Sequence, residues 1–73
     1  MLEKNVSIGG HNVKMNLDLS DEFGTKEAVQ EMFSEQLGSG HDGVNLIIDK
    51  EGNAIIEFIA YIGGPSWTAF ITQ

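Results

Sequence analysis

Three glutamates spaced four residues apart carry the most suggestive chemistry in this sequence. Glu27, Glu31 and Glu35 follow Asp21 and Glu22, and all five carry carboxylates. Four residues of helix rise about 6 Å, close to the separation of successive phosphates along a DNA strand. Like charges at this spacing destabilise a helix, so the stripe invites a functional reason. We predict that the carboxylates imitate a nucleic-acid backbone and bind a basic protein. A solvated helix face rich in good helix formers is the plainer interpretation.

The overall charge favours a basic protein partner over nucleic acid itself. The 73 residues include 11 acidic side chains, four Lys and no Arg, which gives a formal net charge of −7. Neutralising phosphates requires clustered Lys and Arg, so we expect no direct binding of nucleic acid. Acidity attracts basic partners over a long range, among them proteins that normally hold DNA or RNA. Surface carboxylates that only keep the protein soluble are the alternative.

Two double-glycine segments form a second candidate site. The residues concerned are Gly9, Gly10, His11, Gly63, Gly64, Ser66 and Trp67. Their backbone N–H groups can cradle a phosphate, while Trp67 or Tyr61 stacks on a base. No Gly-x-x-x-x-Gly-Lys motif accompanies the glycines, and ordinary turn formation also explains both segments. An oligomeric sponge for a nucleotide-like small molecule is therefore an alternative function.

The sequence lacks the parts of a catalytic or metal site. There is no Cys, and the serines lack both a Gly-x-Ser-x-Gly elbow and an obvious His partner. His11 and His41 show no ligand spacing such as His-x₃-His. We therefore predict a protein that is not an enzyme and binds no cofactor or metal. The absence of Cys, of a bilayer-length apolar run and of a signal-peptide pattern predicts a cytoplasmic protein of a host cell, without membrane association.

Alternating side chains at the start of the chain predict a hairpin. Residues 2–8 and 11–19 alternate between apolar and polar types and flank Gly9-Gly10, a pattern typical of a two-residue turn. In this register Val6 pairs with Val13. The hairpin then has one buried face and one polar face.

From Thr25 the apolar spacing becomes that of a helix. The apolar stripe consists of Ala28, Val29, Met32, Phe33 and Leu37. Thr25 is a plausible N-cap and Gly38 a C-terminal stop, while Ser20 is a rival N-cap that starts the helix one turn earlier. We expect the stripe to pack on a sheet.

Residues 44–72 predict three consecutive antiparallel strands. The expected pairs are Ile48–Ala54, Leu46–Ile56 and Val44–Phe58 across the first loop, and Ile62–Trp67, Ala60–Ala69 and Phe58–Ile71 across the second. Together the elements predict an α+β fold in the order ββαβββ. One helix packs on an antiparallel sheet made of an N-terminal hairpin and a C-terminal three-stranded meander, in one domain of residues 1–73.

The three strands also carry a second apolar face that one helix cannot cover. Its residues are Ile47, Ile55, Ile59, Tyr61 and Phe70. Exposed apolar patches of this kind mark partner surfaces. We expect self-association, through the sheet face or an edge, ahead of a different protein partner. A sheet that curls over its own second face is the alternative.

A small acidic domain without Arg is similar in size and charge to inhibitor proteins of bacteriophages and mobile elements. Examples are the DNA-mimicking inhibitors of uracil-DNA glycosylase and of CRISPR nucleases. The resemblance implies an anti-defence inhibitor of a host nucleic-acid-handling protein. The other hypotheses are the nucleotide sponge and a structural homo-oligomer or toxin-neutralising partner.

Overall fold

The computed structural model describes residues 2–73, so that Met1, the first residue of the expected 1–73 domain, lies outside the described part. The elements are β1 (Leu2–Ile8), β2 (His11–Leu17), α1 (Glu22–Met32), α2 (Ser34–Leu37), β3 (His41–Ile48), β4 (Ala54–Ala60) and β5 (Trp67–Thr72). The strands form one antiparallel sheet in the order β2-β1-β5-β4-β3, and the helical segments pack on one face of it. The predicted α+β fold is confirmed.

The first hairpin has the predicted register. Val6 pairs with Val13 and Leu2 with Leu17, and both turn glycines have positive φ, as a tight two-residue turn requires. Lys4 lies on the buried face, where its ammonium donates to the carbonyl of Gly52 at 3.4 Å. The opposite face of the hairpin is polar.

The last strand joins the hairpin to the meander. Ile71 on β5 pairs with Val6 on one side and Ala54 on the other, and the side chains of all three are buried. The core consists of Val6, Ile8, Leu17, Val29, Phe33, Leu37, Ala54, Ile56, Phe58, Ala69 and Ile71. β5 is therefore the central strand of an open five-stranded sheet.

The pairing between β4 and β5 differs by four residues from the predicted register. Phe58 pairs with Trp67, whereas the sequence pattern predicted Ile62 for that position. The shift arises because β5 also pairs with β1, which brings Ala54 to the same level as Val6 across Ile71. An even shift leaves every side chain on its predicted face. Ile62, however, falls in the loop and is 92% exposed.

The predicted pair Val44–Phe58 is also wrong. The β3–β4 hairpin keeps its register from Ile48 to Asn45, and a bulge then makes Gly43 the partner of Phe58. The aliphatic stem of Lys26 packs against Gly43, where an added Cβ would lie 2.6 Å from Lys26 Cδ. Glycine at position 43 leaves room for the Lys26 stem. The bulge turns the side chain of Val44 outward, and Val44 is exposed.

The helix begins at Glu22, within one residue of the earlier of the two predicted starts, but it is capped by a residue that neither prediction named. Asp21 Oδ1 accepts a hydrogen bond from the N–H of Gly24 at 3.0 Å, so neither Thr25 nor Ser20 is the N-cap. A side chain at Gly24 would collide with the Asp21 carboxylate, and glycine at this position leaves space for the cap. Thr25 is buried inside the helix, where its hydroxyl donates to the carbonyl of Asp18 at 2.8 Å.

The helix is interrupted at Phe33, which separates α1 from α2. Val29, Phe33 and Leu37 are buried as the stripe predicted, but Met32 is exposed. Gly38 ends α2 with a positive φ, as expected for a C-terminal stop.

Candidate protein-binding surface

Three adjacent strands bring Ile47, Ile55 and Phe70 into one row, which we call the apolar row. Ile47 pairs with Ile55, and Ile55 pairs with Phe70. Ile55 is partly buried, while Ile47 is 50% and Phe70 51% exposed. Because side chains alternate along a strand, the row points away from the helix-covered core. The sheet leaves this face open and does not curl over it.

The other two residues of the predicted apolar face lie apart from the row. Ile59 is on the same face of β4 and is exposed, but Glu57 separates it from Ile55. Tyr61 follows the end of β4, where its N–H donates to the carbonyl of Gly40 at 2.5 Å. The row is thus the compact part of the predicted surface.

Polar residues flank the apolar row on both sides. On one side Glu57 pairs with both Asn45 and Thr68 across the strands. On the other side a depression next to the row is lined partly by Asp49, Asn53 and Thr72. Asp49 Oδ1 accepts from the N–H groups of Glu51 and Asn53 at 2.9 Å each, which fixes the hairpin loop. The surface therefore has an apolar centre and a polar rim.

The same face of the sheet is polar on the N-terminal hairpin, next to the apolar row. Ser7 pairs with Phe70, and Asn12 pairs with Ser7. The apolar part of this face consequently begins at β5 and extends to the sheet edge at β3.

The five predicted acidic residues have different roles. Asp21 caps the helix, and Glu22 lies 4.0 Å from the ammonium of Lys26. That contact is the one ion pair within residues 2–73, so the remaining three glutamates have no basic partner there. They are Glu27, Glu31 and Glu35, and all are exposed.

The break at Phe33 also alters the spacing of the stripe. Glu27 and Glu31 lie on α1, whereas Glu35 lies on α2. The regular rise of about 6 Å per four residues therefore applies only between Glu27 and Glu31. An unbroken three-glutamate stripe is not formed.

The two double-glycine loops lie at the same end of the sheet, because β1 ends where β5 begins and Ile8 pairs with Ala69. The indole of Trp67 lies against Gly9, where an added Cβ would be 2.5 Å from Trp67 Cζ3. Gly64 instead lies beside Ala60, near a hollow that Gly40 also lines. Since the Trp67 ring contacts backbone, it offers no open stacking platform on that side. Of the predicted ligand residues, all except the partly buried Trp67 are exposed.

No protein-family model, curated protein or solved structure matches this chain. Its surfaces must therefore be interpreted from their own chemistry.

The described part of the chain carries neither a metal cluster nor a spanning helix. Within residues 2–73, no three His, Asp or Glu side chains are placed to hold a metal ion together. The longest helix there, α1, has 11 residues, and none is long and apolar enough to cross a membrane.

His41 is buried, although its position in a glycine-rich segment predicted an exposed turn residue. It is 4% exposed, and its Nε2 lies 2.6 Å from the carbonyl oxygen of Pro65. A carbonyl can only accept, so Nε2 carries the proton and donates. The Nδ1 atom of His41 and the Nε1 atom of Trp67 are buried without a partner among the described residues. His41 thereby ties the start of β3 to the β4–β5 loop.

Two helix side chains cover part of the β3 edge, which sequence reasoning also missed. Lys26 Nζ donates to the carbonyl of Gly43 at 3.0 Å, and Gln30 Nε2 donates to the carbonyl of His41. Lys26 and Gln30 are four residues apart, which places them on the same side of the helix, and this spacing was visible in the sequence. These contacts supply hydrogen-bond partners to the first half of an edge strand.

Proposed function

We propose that this chain is a non-enzymatic protein-binding domain and that the apolar row is the centre of its partner surface. The observation that supports the proposal is the exposure of two large side chains, Ile47 and Phe70, beside Ile55 on neighbouring strands. Burying an Ile or Phe side chain completely contributes about 1.5–3 kcal/mol. About half of that stabilisation is still available to a partner at each of the two exposed positions.

The shape of the surface favours a protein over a small ligand. Small-molecule sites are concave and enclose most of the ligand surface, whereas the depression beside the row is only partly enclosed. Protein interfaces combine an apolar centre with a polar rim. The apolar row and its flanks, with Glu57 on one side and Asp49 and Asn53 on the other, have this composition.

A photo-cross-linking amino acid at position 47 tests the proposal in cells that express the chain. Position 48 is the matched control, because Ile48 is the next residue on β3, is 47% exposed, and points to the opposite face. We expect specific protein adducts from position 47 and few from position 48. Equal adducts from both positions, or none from position 47, would contradict the proposal.

A second candidate function is supported by the unpaired glutamates of the helix. Glu27 and Glu31 are exposed without a basic partner in residues 2–73, on the layer opposite the apolar row. They suit a basic groove, and the chain would then inhibit a nucleic-acid-handling protein of a host defence system. Binding of this kind weakens as salt rises.

Charge-neutral variants separate this candidate from the first. Changing the three helix glutamates to Gln should abolish salt-sensitive binding to a basic, DNA-handling protein. The control changes two exposed glutamates elsewhere, Glu3 and Glu51, to Gln and should leave that binding intact. If the helix variant still inhibits the partner, the acidic helix is not the binding surface.

A further inference from the structure

We propose that a second copy of this chain covers the apolar row, packed face to face about a two-fold axis that runs along the row. This inference rests on the proposed function, because it names the occupant of the same surface. It is supported by the protection of the sheet edges, by the size of the sheet side and by the residues that the symmetry brings together.

Each edge of the sheet carries a feature that opposes pairing with another chain, on β3 over its first half and on β2 at mid-strand. On β3, Lys26 and Gln30 donate to the carbonyls of Gly43 and His41, and the bulge follows directly. On β2, the other edge, Lys14 stands in mid-strand and is exposed. Covered acceptors, bulges and edge lysines are the features that prevent edge-to-edge association. Association through the open face is therefore favoured.

A second copy presents a surface of matching size. Five strands about 4.8 Å apart and about seven residues long form a sheet side of roughly 500 Å² in projection. A standard protein interface buries about 800 Å² of accessible surface per partner, so a stable dimer uses most of this sheet side, with the apolar row at its centre and the polar hairpin half at its margin. The helix layer is not needed for an interface of that size.

A two-fold axis along the row places each apolar residue opposite its own counterpart. Ile47, Ile55 and Phe70 of one copy then meet the same residues of the other. An axis along β4 would also place apolar residues opposite one another, with Ile55 facing Ile55 and Ile47 facing Phe70, but it would set Glu57 directly against the Glu57 of the second copy. An axis along the row avoids this contact between carboxylates and is the one we infer.

The same axis exchanges the two polar flanks. Glu57 faces Asn53 of the second copy, Thr68 faces Thr72, and Asn45 faces Asp49. These positions follow from the pairing of Glu57 with Asn45 and Thr68, and from Asp49 and Asn53, which close the hairpin loop on the other flank. Each carboxylate meets an amide that can donate to it. No carboxylate meets another.

The net charge of −7 opposes this dimer only weakly. The helix glutamates lie on the layer away from the interface, and packed layers are about 10 Å apart. The Debye length is about 8 Å at physiological ionic strength, so repulsion between the outer layers is screened. Added salt should therefore leave self-association unchanged or strengthen it.

Single-cysteine variants of the full chain test the dimer and its axis, because the native sequence contains no Cys. Ile47→Cys is compared with Ile48→Cys at micromolar concentration, with a short bis-maleimide as the cross-linker and thermal unfolding as the check on folding. We expect a covalent homodimer from Ile47→Cys and none from Ile48→Cys. For the axis, a mixture of Thr68→Cys and Thr72→Cys should give a dimer more efficiently than either variant alone.

The outcomes separate this inference from the proposed function. A monomer in sedimentation equilibrium, with no covalent dimer from Ile47→Cys, overturns the inference. If the photo-cross-linker at position 47 still captures a different protein, the proposed function survives that result. Equal cross-linking of the two cysteine variants, or no preference for the Thr68–Thr72 mixture, also overturns the proposed arrangement.

Discussion

Placing a lysine at position 47 is the sharpest perturbation of the apolar row. Ile47 is 50% exposed in one copy, so association removes the other half of its surface from water. Complete burial of Ile contributes about 1.5–3 kcal/mol, and half of this is about 1 kcal/mol. The dimer contains the residue twice, so the apolar loss alone is about 2 kcal/mol, or roughly 30-fold in the dissociation constant. Two ammonium groups that face each other add to this loss.

Sedimentation equilibrium over a wide concentration range measures the effect. Ile48→Lys is the matched control, since Ile48 is 47% exposed on the opposite face of the same strand. It should stay within about threefold of the unaltered chain, because most exposed substitutions change stability by about 0.5 kcal/mol or less. Equal weakening by the two lysines, or no weakening by Ile47→Lys, would refute the assignment of the apolar row to the interface.

Four further predictions concern the fold and the helix, with urea unfolding as the measurement for the first three. Asp21→Ala should cost about 1 kcal/mol while Asp21→Asn, which retains a capping oxygen, costs much less; equal losses would contradict the cap. Gly9→Ala should destabilise more than Gly10→Ala, since both have positive φ but only Gly9 contacts Trp67; the reverse order would exclude that contact. Replacing the three helix glutamates by Gln should raise stability by about 0.2–0.5 kcal/mol, because one like-charge pair on α1 disappears; a clear loss would show that they are structurally required. Hydrogen bonds from the hydroxyl and then the backbone N–H of Ser20 hold the pKa of Asp18 below its usual value, so its stabilisation is present above the unfolded pKa and is lost as pH falls through the folded pKa. Thermal unfolding across that acid range should depend less on pH in Asp18→Asn, and an unchanged dependence would contradict the assignment.

The parts of the fold that were predictable are those that depend on local turn chemistry. Two glycines with positive φ fix the register of the first hairpin, and Gly52 in a short loop fixes that of Ile48 with Ala54. The β4–β5 register was wrong because it depends on β1, which is more than sixty residues away from its β5 partners along the chain. No local pattern contains that information.

The helix shows a second limit of sequence reasoning. Asp21, Thr25 and Ser20 are all residues that cap helices, so their types do not decide between them. Glycine at position 24 favours Asp21 as the cap, because the Asp21 carboxylate occupies the space that a side chain at position 24 would need. A helical glycine that costs stability in isolation was therefore the overlooked signal.

The apolar face was predictable because period-2 alternation assigns faces independently of exact register. Ile47, Ile55 and Phe70 keep their face despite the four-residue shift. The burial of His41 and the cover of the β3 edge by Lys26 were not predictable, since both depend on where the helix crosses the sheet.

Methyl spectra of the isoleucines in the presence of a soluble paramagnetic agent test the central claim most directly. The agent broadens the signals of methyl groups that solvent reaches. The apolar-row interface predicts that the Ile47 methyl is broadened at low protein concentration and becomes protected as concentration rises, while Ile48 stays accessible throughout. If Ile47 remains as accessible as Ile48 at every concentration, the apolar row is not covered by a second copy.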